Sequence, residues 1–370
     1  APALVAPLTL IINQSLITGI FPDSLKIAKV IPLHKKDDTS LMDNYRPVSL
    51  LTLISKVIEK IVHIQLYKYF DENRLFYISQ YGFREAHSTE LASIEITDSI
   101  ISDLENKKNP IAIFMDLSKA FDTLNHDILL QKLHHYGIRG IALQWFASYL
   151  SNRSQFVEIN DTRSPLRYIE TGVPQGSILG PLLFLIYMND IPQASSFFTF
   201  VLYADDTTLK GTISVNLPIG TSSDQIGLKF NSELKKVSDW LSVNRLSLNI
   251  KKTKFVFFHT HNKNYDSLVP KLMINGVEIE RVSSFNFLGV LLDEKMSWKP
   301  HADNIANKIA KYVGILNKLK RYLPSHILRT LYCSLVQSHF NYAILVWGFN
   351  CGRLKKLQKR LIRIITNSSY

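Results

Sequence analysis

The stretch Val201-Leu202-Tyr203-Ala204-Asp205-Asp206-Thr207-Thr208-Leu209 sets two adjacent carboxylates inside a run that otherwise reads as a half-buried strand pair. Neighbouring like charges on an apolar element repel and lose solvation, so without a compensating cation at least one tends to protonate. Two structures satisfy that constraint. The pair can tip a solvated, inert β-hairpin. It can also hold a divalent metal, because hard cations such as Mg²⁺ take carboxylate oxygens and remove the repulsion.

Several classes are excluded elsewhere in the 370 residues. With 46% hydrophobic and 20% charged residues the chain is neither disordered nor too small for two or three packed subdomains. No window reaches the roughly 18 uninterrupted apolar residues of a spanning helix, and Gly180 to Met188 is core-sized, so no membrane partner is expected. The opening APALVAPLTLIINQSLITGI lacks an initiator Met and a basic flank and reads as an interior start of a longer chain rather than a signal peptide. Cys333 and Cys351 have neither disulfide-framework nor zinc spacing, which fits a reducing compartment, and His259 and His261 are expected to be solvated in a polar loop. The formal net charge of +12 is localised: from His301 to Tyr370 there are twelve Lys or Arg and one acid, Asp303. A basic segment of that kind is the footprint of a polyanionic partner.

The coarse reading is α+β. Leu50 to Phe70 has a helical apolar period, and Ile111-Ala112-Ile113-Phe114-Met115-Asp116 reads as a buried strand delivering a carboxylate at its end. Helices are expected from about Asn125 to Leu133, over Ser177 to Tyr187 and over Asp224 to Leu241; Phe197 to Leu209 forms the hairpin and Lys254 to Phe258 a strand. Arg163 to Gly172 is expected as turns, Gly211 to Asp224 as a loop, and the basic tail as mostly helical, with Tyr312, Tyr322, Tyr332 and Trp347 in its core. If the strand ending at Asp116 shares a sheet with the hairpin, the aspartates can converge on a pair of cations. Two metals roughly 3.5–4 Å apart are the recurrent device for in-line phosphoryl displacement.

Three segments then carry a resemblance. FMDLSKAFDTLNH (114 to 126), GVPQGSILGP (172 to 181) and LYADDTT (202 to 208) resemble, in order, motifs A, B and C of the reverse transcriptase domain of non-LTR retrotransposons, particularly jockey-like elements. IPLHKKDD and NYRPVSLL (31 to 51) and QYGFREAHST (80 to 89) resemble the fingers motifs, WLSVNRLSLNIKKTKF (240 to 255) motif D and FNFLGVLLD (285 to 293) motif E. The resemblance covers essentially the whole chain.

It implies a right-hand polymerase fold with an antiparallel palm sheet: fingers over 1–110, palm over 111–293 with interleaved fingers segments, and a basic helical thumb over 294–370. The implied activity is RNA-directed DNA synthesis on an RNA template and DNA primer, using deoxynucleoside triphosphates and two Mg²⁺ ions, or Mn²⁺. The protein would then act as a ribonucleoprotein in the nucleus or cytoplasm. Asp116, Asp205 and Asp206 would be the catalytic metal ligands. Lys35, or Lys36 beside it, and Arg46 would hold the triphosphate, charges suited to phosphate oxygens. Phe121 would sit beneath the incoming sugar and leave no room for a 2′-hydroxyl, which disfavours an RNA-copying RNA polymerase. Gln175 would contact nucleotide and template beside Gly176, where the glycines of the motif let the backbone approach a ligand. Lys252 would be a proton donor to the departing pyrophosphate. The rival reading is a catalytically lapsed RNA-binding module that keeps the fold.

Overall fold

The computed structural model describes residues 2–213, 223–260, 268–349 and 352–368. The chain begins with α1 (Pro2–Thr18), then β1 (Ile27–His34) and β2 (Tyr45–Leu50), an antiparallel pair in which Ile31 faces Val48 and Leu33 faces Arg46. Next come α2 (Leu53–Glu72) and α3 (Thr89–Glu105). Both start where a hydroxyl caps the first turn: Thr52 accepts from Ser55 N and Ser88 from Leu91 N.

β3 (Asn109–Met115) is buried throughout. It leads into the short α4 (Ala120–Thr123), then α5 (His126–His135), whose first turn is capped by Asn125, and α6 (Gly140–Leu150). The polar stretch expected as turns is partly strand: β4 (Arg153–Ile159) pairs with β5 (Thr162–Arg163) and with β6 (Arg167–Ile169). An available strand edge, not local composition, recruits those residues. β4 also runs parallel to β1, but only along Ile27–Val30. The outer half of the β1–β2 pair is therefore a two-stranded arm, and there Pro32 and Pro47 face each other without disrupting a third strand.

α7 (Gly180–Met188) starts later than expected because Ser177 lies outside it and accepts from Gly180 N at 2.8 Å. The hairpin of β7 (Thr199–Tyr203) and β8 (Asp206–Ile213) follows, then α8 (Ser223–Val243), β9 (Lys254–Phe257), β10 (Met273–Ile274), β11 (Val277–Glu278), β12 (Glu280–Arg281), β13 (Ser284–Phe287) and β14 (Val290–Asp293). Gly211–Ile213, expected in a loop, continue β8 because β3 offers partners as far as Asn109; residues 214–222 of that loop, like His261 and Cys351, lie outside the described residues. The basic segment forms α9 (Lys299–Leu319), α10 (Ser325–Tyr332), α11 (Ser338–Asn341), α12 (Ile344–Trp347) and α13 (Gly352–Thr366). Trp347 is buried there, whereas Tyr322 is exposed, against expectation.

The central sheet has the order β12-β9-β3-β8-β7, with antiparallel β9–β3–β8–β7 and β12 parallel to β9. Strand alternation splits it between two cores. Ile111, Ile113, Met115, Phe200, Leu202, Leu209, Phe255 and Phe257 enter one with α2, α5, α6, α7 and α8. Ala112, Phe114, Val201, Val256 and Phe258 enter the other with α3, β13–β14 and the C-terminal helices. A strand buried on both faces favours apolar side chains on both, which accounts for the run Ile111–Met115 before Asp116. This is an α+β fold, and among the described residues no helix is long and apolar enough to cross a membrane.

Gly211 shows how closely the first core is packed. A Cβ there would lie 2.7 Å from the Phe230 ring and 2.9 Å from the Phe197 ring, and those two rings already meet edge to face with centroids 5.0 Å apart. Gly211→Ala should destabilise the protein by about 1–3 kcal/mol through overpacking, read as a lower denaturation midpoint in urea at unchanged slope.

Candidate active site

The last antiparallel pair between β3 and β8 is Met115 with Thr207. One residue further, the register sets Asp116 across from Asp206, the first residue of β8. Asp205 belongs to the two-residue turn Ala204–Asp205, where Ala204 is left-handed at φ 55°. The Asp116 backbone is fixed from its other side: its carbonyl accepts from Asn249 N at 2.8 Å, its N–H donates to Thr253 Oγ1 at 3.4 Å, and Ser118 N donates to Ser247 O at 2.8 Å. A cleft of about 240 Å³ opens between these strands and the β13–β14 hairpin, lined by Asp116, Asp206, Thr208, Lys252, Phe285 and Phe287 among others.

The carboxylates strain one another electrostatically. Burial and the Asp116 charge raise the Asp205 carboxyl above its usual range, against the pull of Arg46. Burial, then the charges of Asp205 and Asp116, push Asp206 up to about 6, although its exposed side lets solvent screen part of the repulsion. Lys252 reaches to 3.7 Å from Asp116 Oδ2. All-oxygen donors with uncompensated negative charge fit a hard divalent cation. Yet among the described residues no three His, Cys, Asp or Glu side chains are gathered at metal-holding distance, so the aspartates are neighbours rather than a finished cage.

Phe121, Gln175 and Gly176 form a second group. The Phe121 ring stacks on Phe184 of α7 at 4.4 Å between centroids and meets Phe83 edge-on at 6.2 Å. Gln175 Nε2 donates to both oxygens of Asp122, at 2.8 and 3.0 Å, while the main-chain carbonyl of Gln175 accepts from Ser49 N at 2.7 Å. Gly176 has φ 129°, and a Cβ on it would lie 2.5 Å from Ser49 O, so only glycine lets this turn lie against β2. Under the turn, fully buried Glu59 on α2 accepts from Ile178 N at 2.7 Å, Leu179 N at 3.3 Å and Ser55 Oγ at 3.0 Å. Sequence reading missed Asp122 and Glu59. Asp122 sits in plain view within AFDT, but only folding aims it at Gln175; Glu59 gives no local signal beyond a charge on an otherwise apolar helix face.

Arg46 acts electrostatically on Asp205, whereas Lys35 and Lys36 are exposed beyond the end of β1 and form no ion pair with these carboxylates among the described residues. Lys35 N donates to Asn44 O at 2.8 Å, which extends the β1–β2 ladder by one step. By strand alternation Lys35 shares a face with Leu33 and Arg46, and Lys36 falls on the other.

A strand-end carboxylate beside a hairpin carrying two more, on an antiparallel sheet flanked by helices, defines the class as a right-hand polymerase. The family model for reverse transcriptase (RNA-dependent DNA polymerase) matches residues 33–292, and the chain belongs to that family. It is similar to the probable RNA-directed DNA polymerase from transposon BS of Drosophila melanogaster, 28% identical over 98% of this chain and 41% of that one. It is equally similar, at 28% over 98% of this chain and 40% of the other, to the RNA-directed DNA polymerase from mobile element jockey of the same species. The chain thus spans about two fifths of the length of these curated relatives. A structure of apo telomerase from Candida tropicalis aligns at TM-score 0.45 and 13% identity over 74% of this chain and 56% of that one, a likeness that supports no conclusion by itself.

Two outcomes follow from this geometry. Because Asp206 has a raised folded-state pKa, its protonation favours the folded state at low pH, and that contribution is lost as pH rises from about 4 through about 6. In metal-free protein Asp206→Asn should therefore melt higher than wild type at pH 7, with the gap closing toward pH 4 in calorimetric scans. Glu59→Ala leaves the buried Leu179 N–H and the part-buried Ile178 N–H without their acceptor and should cost about 2–4 kcal/mol of unfolding free energy, measured by urea titration.

Proposed function

We propose that the chain is the polymerase region of an RNA-directed DNA polymerase from a mobile element, extending a DNA primer on an RNA template with deoxynucleotides by two-metal nucleotidyl transfer. The observation that supports this most is the register that sets Asp116 across from Asp206, beside Asp205, at the mouth of an open cleft. Mg²⁺ bound by these three carboxylates would supply the charge that lowers the pKa of the primer 3′-hydroxyl and neutralises the leaving pyrophosphate.

The remaining roles belong to side chains of this chain. Arg46, near Asp205, offers a bidentate fork to the triphosphate, and the ladder register favours Lys35 over Lys36 as its companion. Phe121, held by the Phe184 stack, presents a fixed ring where a 2′-hydroxyl would have to fit. Asp122 takes the Gln175 amide hydrogens, which leaves the amide oxygen to accept from the nucleotide or template beside Gly176. Lys252, beside Asp116, would be the proton donor to the departing pyrophosphate. Residues 1–110 would be fingers, 111–293 palm and 294–370 thumb; support comes from β14 ending at Asp293 and from β4 joining the fingers strand β1. The basic helices would grip the template–primer backbone without reading sequence, in a ribonucleoprotein of the nucleus or cytoplasm.

Primer extension on poly(rA)/oligo(dT) with Mg²⁺ and dTTP tests the reading. Wild type should extend and Asp205→Asn should fall to background; no extension by folded, duplex-binding wild type would favour the lapsed RNA-binding module. Phe121→Ala should raise ribonucleotide over deoxynucleotide incorporation by about tenfold or more, on the order of what a steric pocket difference gives, measured on one primed template.

A further inference from the structure

We propose that the segment Ser79–Gly82 is a bracket that fixes the Ala204–Asp205 turn, with Gln80 as its positioning residue. The catalytic consequence rests on the polymerase reading above; the geometry does not. Gln80 is 1% exposed, and its Oε1 accepts from Gly82 N at 2.9 Å and from Ala204 N at 3.3 Å. Ala204 is the left-handed residue immediately before Asp205. The main chain is joined as well: Leu202 N donates to Ser79 O at 2.9 Å, and Tyr81 N donates to Leu202 O at 2.8 Å. The segment therefore continues the sheet past β7, its edge strand, through a parallel bridge between Gln80 and Leu202.

Gly82 closes the bracket. A Cβ on it would stand 2.2 Å from Ala204 N and 2.9 Å from Ala204 Cα, both main-chain atoms with nowhere to move without displacing the turn. The bracket is anchored in turn: Ser79 Oγ donates to Glu95 of α3 at 2.7 Å, Tyr81 OH donates to the same carboxylate, and Arg84 Nη1 donates to Tyr77 O at 3.1 Å.

The turn needs such support for two reasons. A non-glycine residue in the left-handed region is strained by about 1 kcal/mol or more, and the two carboxylates it presents repel each other. The acceptor is a neutral amide, so it holds the Ala204 N–H without adding another negative charge beside Asp205. A glutamate there would supply the hydrogen bond and worsen the repulsion.

The test uses two variants of the whole chain. Gln80→Met keeps the length and volume but removes the acceptor; Gly82→Ala keeps the acceptor but pushes on Ala204. Each should lower kcat for primer extension by about ten- to a hundredfold, the scale of a misplaced catalytic group, with the dTTP KM unchanged. Each should also speed amide hydrogen exchange in the 201–207 peptide while peptides of α7 and α9 exchange as in wild type. Wild-type exchange in that peptide in either folded variant, or a rise in KM with kcat preserved, overturns the proposal. So does failure of both variants to fold, which would make the segment a requirement of the fold rather than of the turn. If wild type extends no primer, the polymerase reading falls, and the exchange rates still decide whether the bracket holds the turn.

Discussion

Strand β3 has hydrogen-bonded neighbours on both edges and a hydrophobic core on each face, and that double burial organises the central sheet and the helices packed on its two sides. Ile111, Ile113 and Met115 face the helices α2, α5, α6, α7 and α8, while Ala112 and Phe114 face α3 and the C-terminal helices. A strand so enclosed has little freedom to slip, because a one-residue shift would exchange its two sets of side chains between cores of different shape. The residue that leaves the sheet at its end, Asp116, is consequently placed by the packing of the whole molecule. Its partner segment, Ser247 to Thr253, adds main-chain hydrogen bonds at the one point where the cores end and solvent begins.

Around that fixed point the molecule keeps negative charge concentrated and its supports mostly neutral. Backbone N–H groups, the Thr253 hydroxyl and the Gln80 amide hold the loops that carry Asp116 and Asp205, while Lys252 lies beside Asp116 and Arg46 acts on Asp205. Other carboxylates nearby in sequence or fold have donors of their own, Glu59 two N–H groups and Asp122 the Gln175 amide. The raised pKa of Asp205 and Asp206 is the remainder that these arrangements do not remove. It is a charge deficit suited to a divalent cation and disadvantageous without one.

How much of this could be read from the sequence depended on range. Asp116 and the Asp205–Asp206 hairpin were legible because each is announced by its own neighbours, a continuous apolar run in one case and a strand–turn–strand in the other. Gly211–Ile213 and Arg167–Ile169 were not, since their strand character comes from partners a dozen or more residues away in sequence, at β3 and β4. Asp122, Glu59 and Gln80 were silent for the same reason: each is an ordinary polar residue until the fold sets a backbone N–H or an amide in front of it. Tyr322 failed differently. It was expected in the core with the other aromatics of the basic segment, but it lies past the end of α9 in a turn that exposes it to solvent.

The basic segment shows the same separation of tasks within a single helix. In α13, Leu354, Leu361 and Ile364 are buried while Lys355, Lys356, Lys359 and Arg360 lie exposed around them. The first set binds the helix to α9, and the second is left to solvent. Arg353, by contrast, pairs at the surface with its own chain, with Asp303 at 3.2 Å and Asn307 at 2.9 Å. Exposed lysines on a helix that the core already holds contribute little to folding, and their mutual repulsion slightly opposes it. A phosphate backbone would turn that repulsion into attraction through release of its counterions, which is what the proposed grip on template and primer would require of these helices.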